Sequence, residues 1–283
     1  MPNKNKAVFV TSHLSRQMIA LIKQMMRERF DITVAAPKNE NFQYLPGRQF
    51  IRLYRVFGRL FGFWRIRNFK GAVVAFDGAA QRFVSGKRRA VVFDDYLGLD
   101  LSIWNPNAIS GNRQTMLLAA YNIPPAAKMI LALEPSDKDV RALLLAIKGL
   151  GRSDIIIGLY GQMTKLAARR ISRKIAGSHQ IIYLGKEQDL PTLMRASFAV
   201  ISLSPKNSFF KAAALAMGRT TAFAPCDIKP NITIKNNLAE TLEKILDLPL
   251  RAREEFEAEN IRRAGNYDLM KTIGKLKAKI QNA

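Results

Sequence analysis

The sequence predicts an α/β protein with two Rossmann-like domains of parallel sheet facing a cleft. Three observations carry this. Short apolar runs alternate with helical patterns along the chain. Each run in the second half is apolar throughout rather than alternating, as strands buried on both faces are. The alternation pauses near residue 105, which divides the chain into domains 1–104 and 105–283, the second carrying the closing helices.

The elements of the first half follow in order. "AVFVTS" (7–12) reads as a strand and "LSRQMIALIKQMMRER" (14–29) as an amphipathic helix. "DITVAAP" (31–37) is the next strand, stopped by proline. "GAVVAFDG" (71–78) and "RAVVFDD" (89–95) are two more. In the second half, "MILAL" (129–133) precedes a helical pattern over Lys138–Lys148. "DIIIGLY" (154–160) precedes a helix near 162–176. "QIIYLG" (180–185) precedes the helix of "DLPTLMRAS". "FAVISLS" (198–204) precedes a helix at 208–217, and "TTAFA" (220–224) closes the series. Right-handed crossovers join such strands.

Composition narrows the function classes. The chain has 283 residues and is 48% hydrophobic, enough for two cores. No run reaches the 18 or more apolar residues of a membrane span, and the start, MPNKNKAVFV, runs straight into a strand pattern, so the expectation is a cytoplasmic protein without a secretory signal. The single cysteine, Cys226, excludes an internal disulfide and reads as a small buried hydrophobe. His13 and His179 are too far apart for a metal motif, so no metal is expected. Lys plus Arg is 45 against 22 Asp plus Glu, a net charge of +23. A field of that sign attracts polyanions: nucleic acid, anionic lipid or phosphorylated substrates.

A resemblance becomes specific after residue 97. "LGLDLSIWNP" (97–106) followed by "YNIPPAAKMILAL" (121–133) is similar to the passage that links the domains of retaining GT-B glycosyltransferases of family 4. "IIYLGKEQDLPTLMRASFAVISLSP", "AMGR" (216–219) and the run from "LAETLEKIL" onward resemble later segments of that family. The similarity spans roughly residues 97–270. The N-terminal domain looks reduced beside the family's. The resemblance implies a nucleotide-sugar donor as substrate and no separate cofactor. The acceptor would be lipid-linked or a surface polysaccharide, met at the cytoplasmic face of the membrane.

By that resemblance the donor side comprises Lys138, Gly158, Gly161, Gly185, Asn207 and Ser208. Gly158 and Gly161 in "GLYGQ" resemble a Gly-x-Gly turn, with one extra residue. Ser12 and His13 in "TSHLS" occupy a strand-to-helix turn where this fold makes substrate contacts, with helix capping and packing as the alternative reading. The departures are as informative. The family's paired glutamates fall on Pro205 and Ala213, its phosphate-binding arginine near Glu134-Pro135, and its N-domain histidine on Phe76-Asp77. No catalytic residue is assigned. The site reads as weakened or remodelled, and a catalytically inactive glycosyltransferase-like subunit, binding anionic membrane or a partner enzyme, is the second expectation.

"RQFIRLYRVFGRLFGFWRIRNFKG" (48–71) has no acidic residue. On a helix, Phe50, Tyr54, Phe57, Phe61 and Trp64 fall within about 40° of one line, and Arg48, Arg52, Arg55 and Arg59 within about 30° of the opposite line. That division suits a helix lying in a membrane interface, with Phe57, Phe61 and Trp64 inserted and the arginines on anionic headgroups. Packing of the aromatic line on the N-terminal sheet is the alternative. Stacking on single-stranded nucleic acid is disfavoured, because no nucleic-acid motif accompanies the stretch.

Overall fold

The computed structural model describes residues 6–11, 14–36, 50–52, 69, 71–76, 80, 90–93, 98–161, 170, 181–185, 189–204, 208–234 and 237–282. They form two compact units, residues 1–98 with 267–283, and residues 99–266.

In the first unit, strands β1 (Lys6–Val10), β2 (Asp31–Ala36), β3 (Phe50–Arg52), β4 (Ala72–Ala75) and β5 (Ala90–Val92) form a parallel sheet in the order β3-β2-β1-β4-β5. Helix α1 (Arg16–Arg27) is started by Ser15, whose hydroxyl accepts from the Met18 amide at 3.2 Å. Its apolar stripe, Met18, Ile19, Leu21, Ile22 and Met25, is buried on one sheet face with Phe9, Ile32 and Val74. The opposite face is lined by Val8, Val10, Ala35, Val73, Ala75 and Ala80.

The second unit holds β6 (Lys128–Leu133), β7 (Ile155–Tyr160), β8 (Ile181–Gly185), β9 (Ala199–Ser202), β10 (Thr220–Phe223) and β11 (Ile232–Thr233), all parallel, in the order β11-β10-β9-β6-β7-β8. Its helices are α2 (Gly111–Ala120), α3 (Asp137–Leu150), α4 (Leu190–Ala196), α5 (Ser208–Ala216), α6 (Leu238–Leu246) and α7 (Leu250–Ala264). Numbered within its own unit, this sheet runs 6-5-4-1-2-3, and the first runs 3-2-1-4-5. Both are doubly wound, with the strand order reversing beside the unit's first strand.

The last helix, α8 (Leu269–Asn282), returns to the first unit. Its stripe of Leu269, Ile273, Leu276 and Ile280 is buried in the same core as α1, and Lys277 pairs with Glu28. Each of these four side chains contributes about 1.5–3 kcal/mol on burial. Gly98, at φ +84°, is the last residue of the first unit before the chain passes to the second; a Cβ there would stand 2.5 Å from the Leu269 Cα, so only glycine fits.

Two expectations are corrected here. Phe50 to Arg52 form a strand, not part of a helix: Val34, Ala35 and Ala36 of β2 pair with Phe50, Ile51 and Arg52. The free backbone edge of β2 supplies hydrogen bonds that a helix on the surface would leave to water. Of the rest of the 48–71 stretch only Phe69 and Gly71 are described; Arg48, Tyr54, Arg55, Phe57, Arg59, Phe61 and Trp64 lie outside the described residues. Gly158 is the second correction. It lies inside β7, as the strand expected at 154–160 has it, paired with Leu131 and Ile182, so the resemblance to a Gly-x-Gly turn does not hold for it. A Cβ there would meet Leu184 Cδ1 at 2.6 Å, so this glycine makes room for core packing. Of the helix expected near 162–176, only Arg170 is described, and it is helical.

Among the described residues no helix is long and apolar enough to cross a membrane, and no group of three His, Cys, Asp or Glu side chains could hold a metal ion.

Candidate functional site

In doubly wound sheets the carboxyl ends of the strands flanking the order reversal leave a crevice for ligands. In the second unit those strands are β6 and β9, paired from Ile130–Ala199 to Ala132–Ile201. The chain leaving β6 gives Glu134, Pro135, Ser136 and α3; the chain leaving β9 gives Leu203, Ser204 and then α5. The sequence-predicted Lys138 lies in the first turn of α3 and Ser208 in the first turn of α5, both exposed, so the fold brings their two turns to neighbouring strand ends. Asn207, and in the first unit Ser12 and His13, lie outside the described residues.

The two helix starts differ in charge. Helix α3 opens with a capping box: the Ser136 hydroxyl accepts from the Asp139 amide at 3.2 Å, and the Asp139 carboxylate accepts from the Ser136 amide at 2.8 Å. Asp137 and Asp139 complement the dipole there. This start is filled by the chain itself, leaving Lys138 as its cationic side chain. Helix α5 has no acidic residue in its first turn. Instead Lys211, 1% exposed, donates to the Ser204 carbonyl at 2.6 Å and sits 5.7 Å from the Phe223 ring centroid. No carboxylate pairs with it among the described residues. A buried ammonium next to an uncomplemented helix N-terminus makes this the positive pole of the edge.

Backbone geometry marks the same edge. Glu134 has φ +44°, a left-handed conformation that costs a non-glycine residue of order 1–3 kcal/mol. Its amide donates to the Tyr160 carbonyl at 2.7 Å. Gly161, at φ +143°, lies against it: a Cβ on Gly161 would be 2.9 Å from the Glu134 Cα. The Gly161 amide donates to the Gly185 carbonyl at 2.7 Å, and Gly185 has φ +62°. Two of the glycines expected on the donor side thus shape one chain of turns across the ends of β6, β7 and β8. The strained residue among them is a carboxylate.

Aromatic rings border this edge. Tyr160 meets Phe210, Phe210 meets Phe209, and Phe209 meets Trp104, each pair 5.5 Å between centroids and close to edge-on. Phe209 and Phe210 are half-buried. Lys211 and these rings are residues that sequence reasoning passed over, and Glu134 entered it only as a departure from the family's arginine. "SFFKAAALA" reads as an ordinary helix, and the signal available was a lysine inside an otherwise apolar turn. Ala213, where the resemblance places a glutamate, is wholly buried within α5.

No family model matches the chain, and no curated protein matches it in sequence. Solved structures do. A glycosyltransferase from Rickettsia africae superposes with a TM-score of 0.71 at 12% identity, covering 98% of each chain. HepE of Anabaena, in complex with UDP and glucose, gives 0.68 at 12% identity, over 98% of this chain and all of that one. UDP-GlcNAc 2-epimerase from Neisseria meningitidis, bound to UDP-GlcNAc, gives 0.63 at 11% identity with the same coverage. At such identities the likeness is one of fold. The protein has the GT-B-like fold, two Rossmann-like domains with parallel sheets.

Proposed function

We propose that the protein is a nucleotide-sugar-dependent glycosyltransferase whose donor diphosphate lies at the carboxyl edge of the second sheet, where β6 and β9 end. The observation that carries this reading is that a buried cation, Lys211, behind a helix start with no acidic residue in its first turn, and a strained carboxylate, Glu134, just past the end of β6, lie at neighbouring strand ends. A nucleoside diphosphate presents the complementary features: an anionic diphosphate and ribose hydroxyls that donate to a carboxylate. Structural likeness to proteins crystallised with UDP, UDP and glucose, or UDP-GlcNAc supports uridine as the nucleoside.

In the reaction the bond between the sugar's anomeric carbon and the diphosphate oxygen breaks, and a bond to an acceptor hydroxyl oxygen forms. The acceptor's proton is released and the nucleoside diphosphate leaves. The protein's part is to hold charge on the leaving group. The first-turn amides of α5, with Ser208, cradle the phosphates. Lys211 strengthens the field from one turn deeper, and Lys138 reaches in from α3. Glu134 accepts ribose hydroxyls, a role the paired glutamates lost from positions 205 and 213 would otherwise fill. Phe209 and Phe210 offer apolar faces to the base or sugar. The sequence resemblance favours retention of anomeric configuration, as in family 4. The +23 charge favours an anionic acceptor, lipid-linked or polysaccharide, at a membrane face.

Calorimetric titration of the full chain with UDP and UDP-sugars tests the reading. Saturable binding is expected, weakened by about 1–3 kcal/mol in Lys138→Ala, as for a charged hydrogen bond. Absence of any nucleotide-sugar binding at millimolar concentration would leave the inactive-subunit reading in its place.

A further inference from the structure

The opposite, amino-terminal edge of the second sheet carries a separate cluster. Arg195 ends α4, Arg219 leads into β10, and Arg253 lies in the first turns of α7. They share one carboxylate, Glu257, which pairs with Arg195. Gly218, at φ +65°, brings α7 onto the end of α5; a Cβ there would stand 2.7 Å from Glu257 Cγ. Arg195 also donates to the Met217 carbonyl at 3.4 Å. The other two guanidiniums have no protein acceptor among the described residues. Arg219 Nε and Arg253 Nε are both buried and unbonded. The Arg253 guanidinium stacks on Phe198, 3.9 Å from the ring centroid.

Three cations against one carboxylate leave a local charge of +2. Burying unpaired charge and orphaned N–H groups is costly, so native proteins pair them. Arg219 does not escape by deprotonating. Burial, then the nearby charge of Arg195, pull its pKa down only to about 10, so it stays protonated at neutral pH. A guanidinium stacked on a ring keeps its in-plane N–H groups directed at planar or tetrahedral oxyanions. A phosphomonoester carries about −1.5 to −2 charge at neutral pH and three acceptor oxygens, which matches the excess.

We propose that Arg195, Arg219 and Arg253 around Glu257 form a binding site for a phosphomonoester dianion, at the opposite end of the sheet from the donor site. The site takes either a free phosphorylated metabolite or the headgroup of a phosphomonoester lipid. The inference does not depend on the glycosyltransferase reading, because none of its residues belongs to the carboxyl edge.

The test is calorimetric titration of the full chain with inorganic phosphate at constant ionic strength, kept constant with sodium chloride, with excess UDP present to occupy any donor site. Saturable binding is expected in the wild type, weakened at least about tenfold in Arg219→Met and in Arg253→Met, with UDP binding unchanged in both. Arg253→Met, at a half-buried helix position, decides the outcome if Arg219→Met does not fold. Sedimentation with vesicles of phosphatidic acid in phosphatidylcholine separates the sources. Binding lost in the arginine variants assigns a lipid headgroup; phosphate binding without arginine-dependent vesicle binding assigns a soluble ligand. Equal phosphate affinity in wild type and variants, or no saturable binding in the wild type, overturns the proposal.

Discussion

The two edges of the second sheet treat positive charge in different ways. At the carboxyl edge a single buried ammonium, Lys211, is held by one carbonyl beside a helix start with no acid in its first turn. At the amino edge three guanidiniums crowd around Glu257, and two of them keep a buried Nε without an acceptor. Elsewhere on that edge the charges are matched: Arg152 pairs with Asp154 and Asp247, and Lys128 approaches Asp154 at 3.8 Å. The hydrogen bonds from Arg152 hold the Asp154 carboxyl below the usual carboxylate range. The difference teaches where to look in an acid-poor chain. Surplus exposed cations cost little, since water screens them. Surplus cations that are buried at a particular place cost stability, and a ligand anion is the natural compensation.

The largest expected effect comes from removing the acid that three arginines share. Glu257→Gln is expected to destabilise the fold by about 2–3 kcal/mol, somewhat less than for a fully buried pair because Glu257 is partly exposed. Urea denaturation reads this directly, and an unchanged midpoint would mean the arginines are already satisfied.

Arg219→Met should move stability the other way. In phosphate-free buffer it is expected to stabilise the protein by about 1–3 kcal/mol, because it removes a buried unpaired charge. The sign with pH follows from linkage. Burial holds the folded pKa of Arg219 near 10, below its ordinary value, so between the two the unfolded chain binds more protons and wild-type stability rises with pH. The advantage of the variant therefore stays flat from pH 6 to 9 and shrinks above about pH 10. A gap that narrows instead as pH falls from 9 to 6 would contradict this origin.

Glu134→Gly should have the smallest effect on stability, a gain of about 1 kcal/mol or less, as the left-handed backbone becomes free of strain while unfolded-chain entropy rises. The same substitution is expected to weaken UDP binding, because the carboxylate offered to the ribose is gone. Tighter or equal UDP binding in the variant would remove Glu134 from the donor site and leave the carboxyl edge with its cation alone.

Much of this architecture was legible in the chain. The apolar runs at 129–133, 154–160, 180–185, 198–204 and 220–224 each became a strand within a residue or two, because a strand covered on both faces leaves an uninterrupted hydrophobic signal. Lys138, Ser208 and Gly161, named through the resemblance, lie in turns and helix starts that follow the strands, and Gly185, named the same way, is the last residue of β8. Gly158 was misread because glycine spacing cannot distinguish a turn from a strand residue pressed against Leu184. Residues 50–52 were misread because aromatic and basic residues at helical spacing also fit a strand, and the deciding partner, β2, lies about fifteen residues away in sequence.

The sequence by itself determined the parallel α/β character of both halves, most of the strands and helices in chain order, and the excess of positive charge, since these follow from local periodicity and composition. Three matters were decided only by the tertiary structure. The stripe on 269–280 could have packed on either core, and its burial with α1 sends it back to the first unit. Lys211 and Glu134, 77 positions apart, come to neighbouring strand ends only because β6 pairs with β9. The shortage of acids around Arg195, Arg219 and Arg253 depends on which of 22 carboxylates the fold brings near, and it brings Glu257. In each case contacts between residues distant in the chain set the outcome, and no local pattern encodes them.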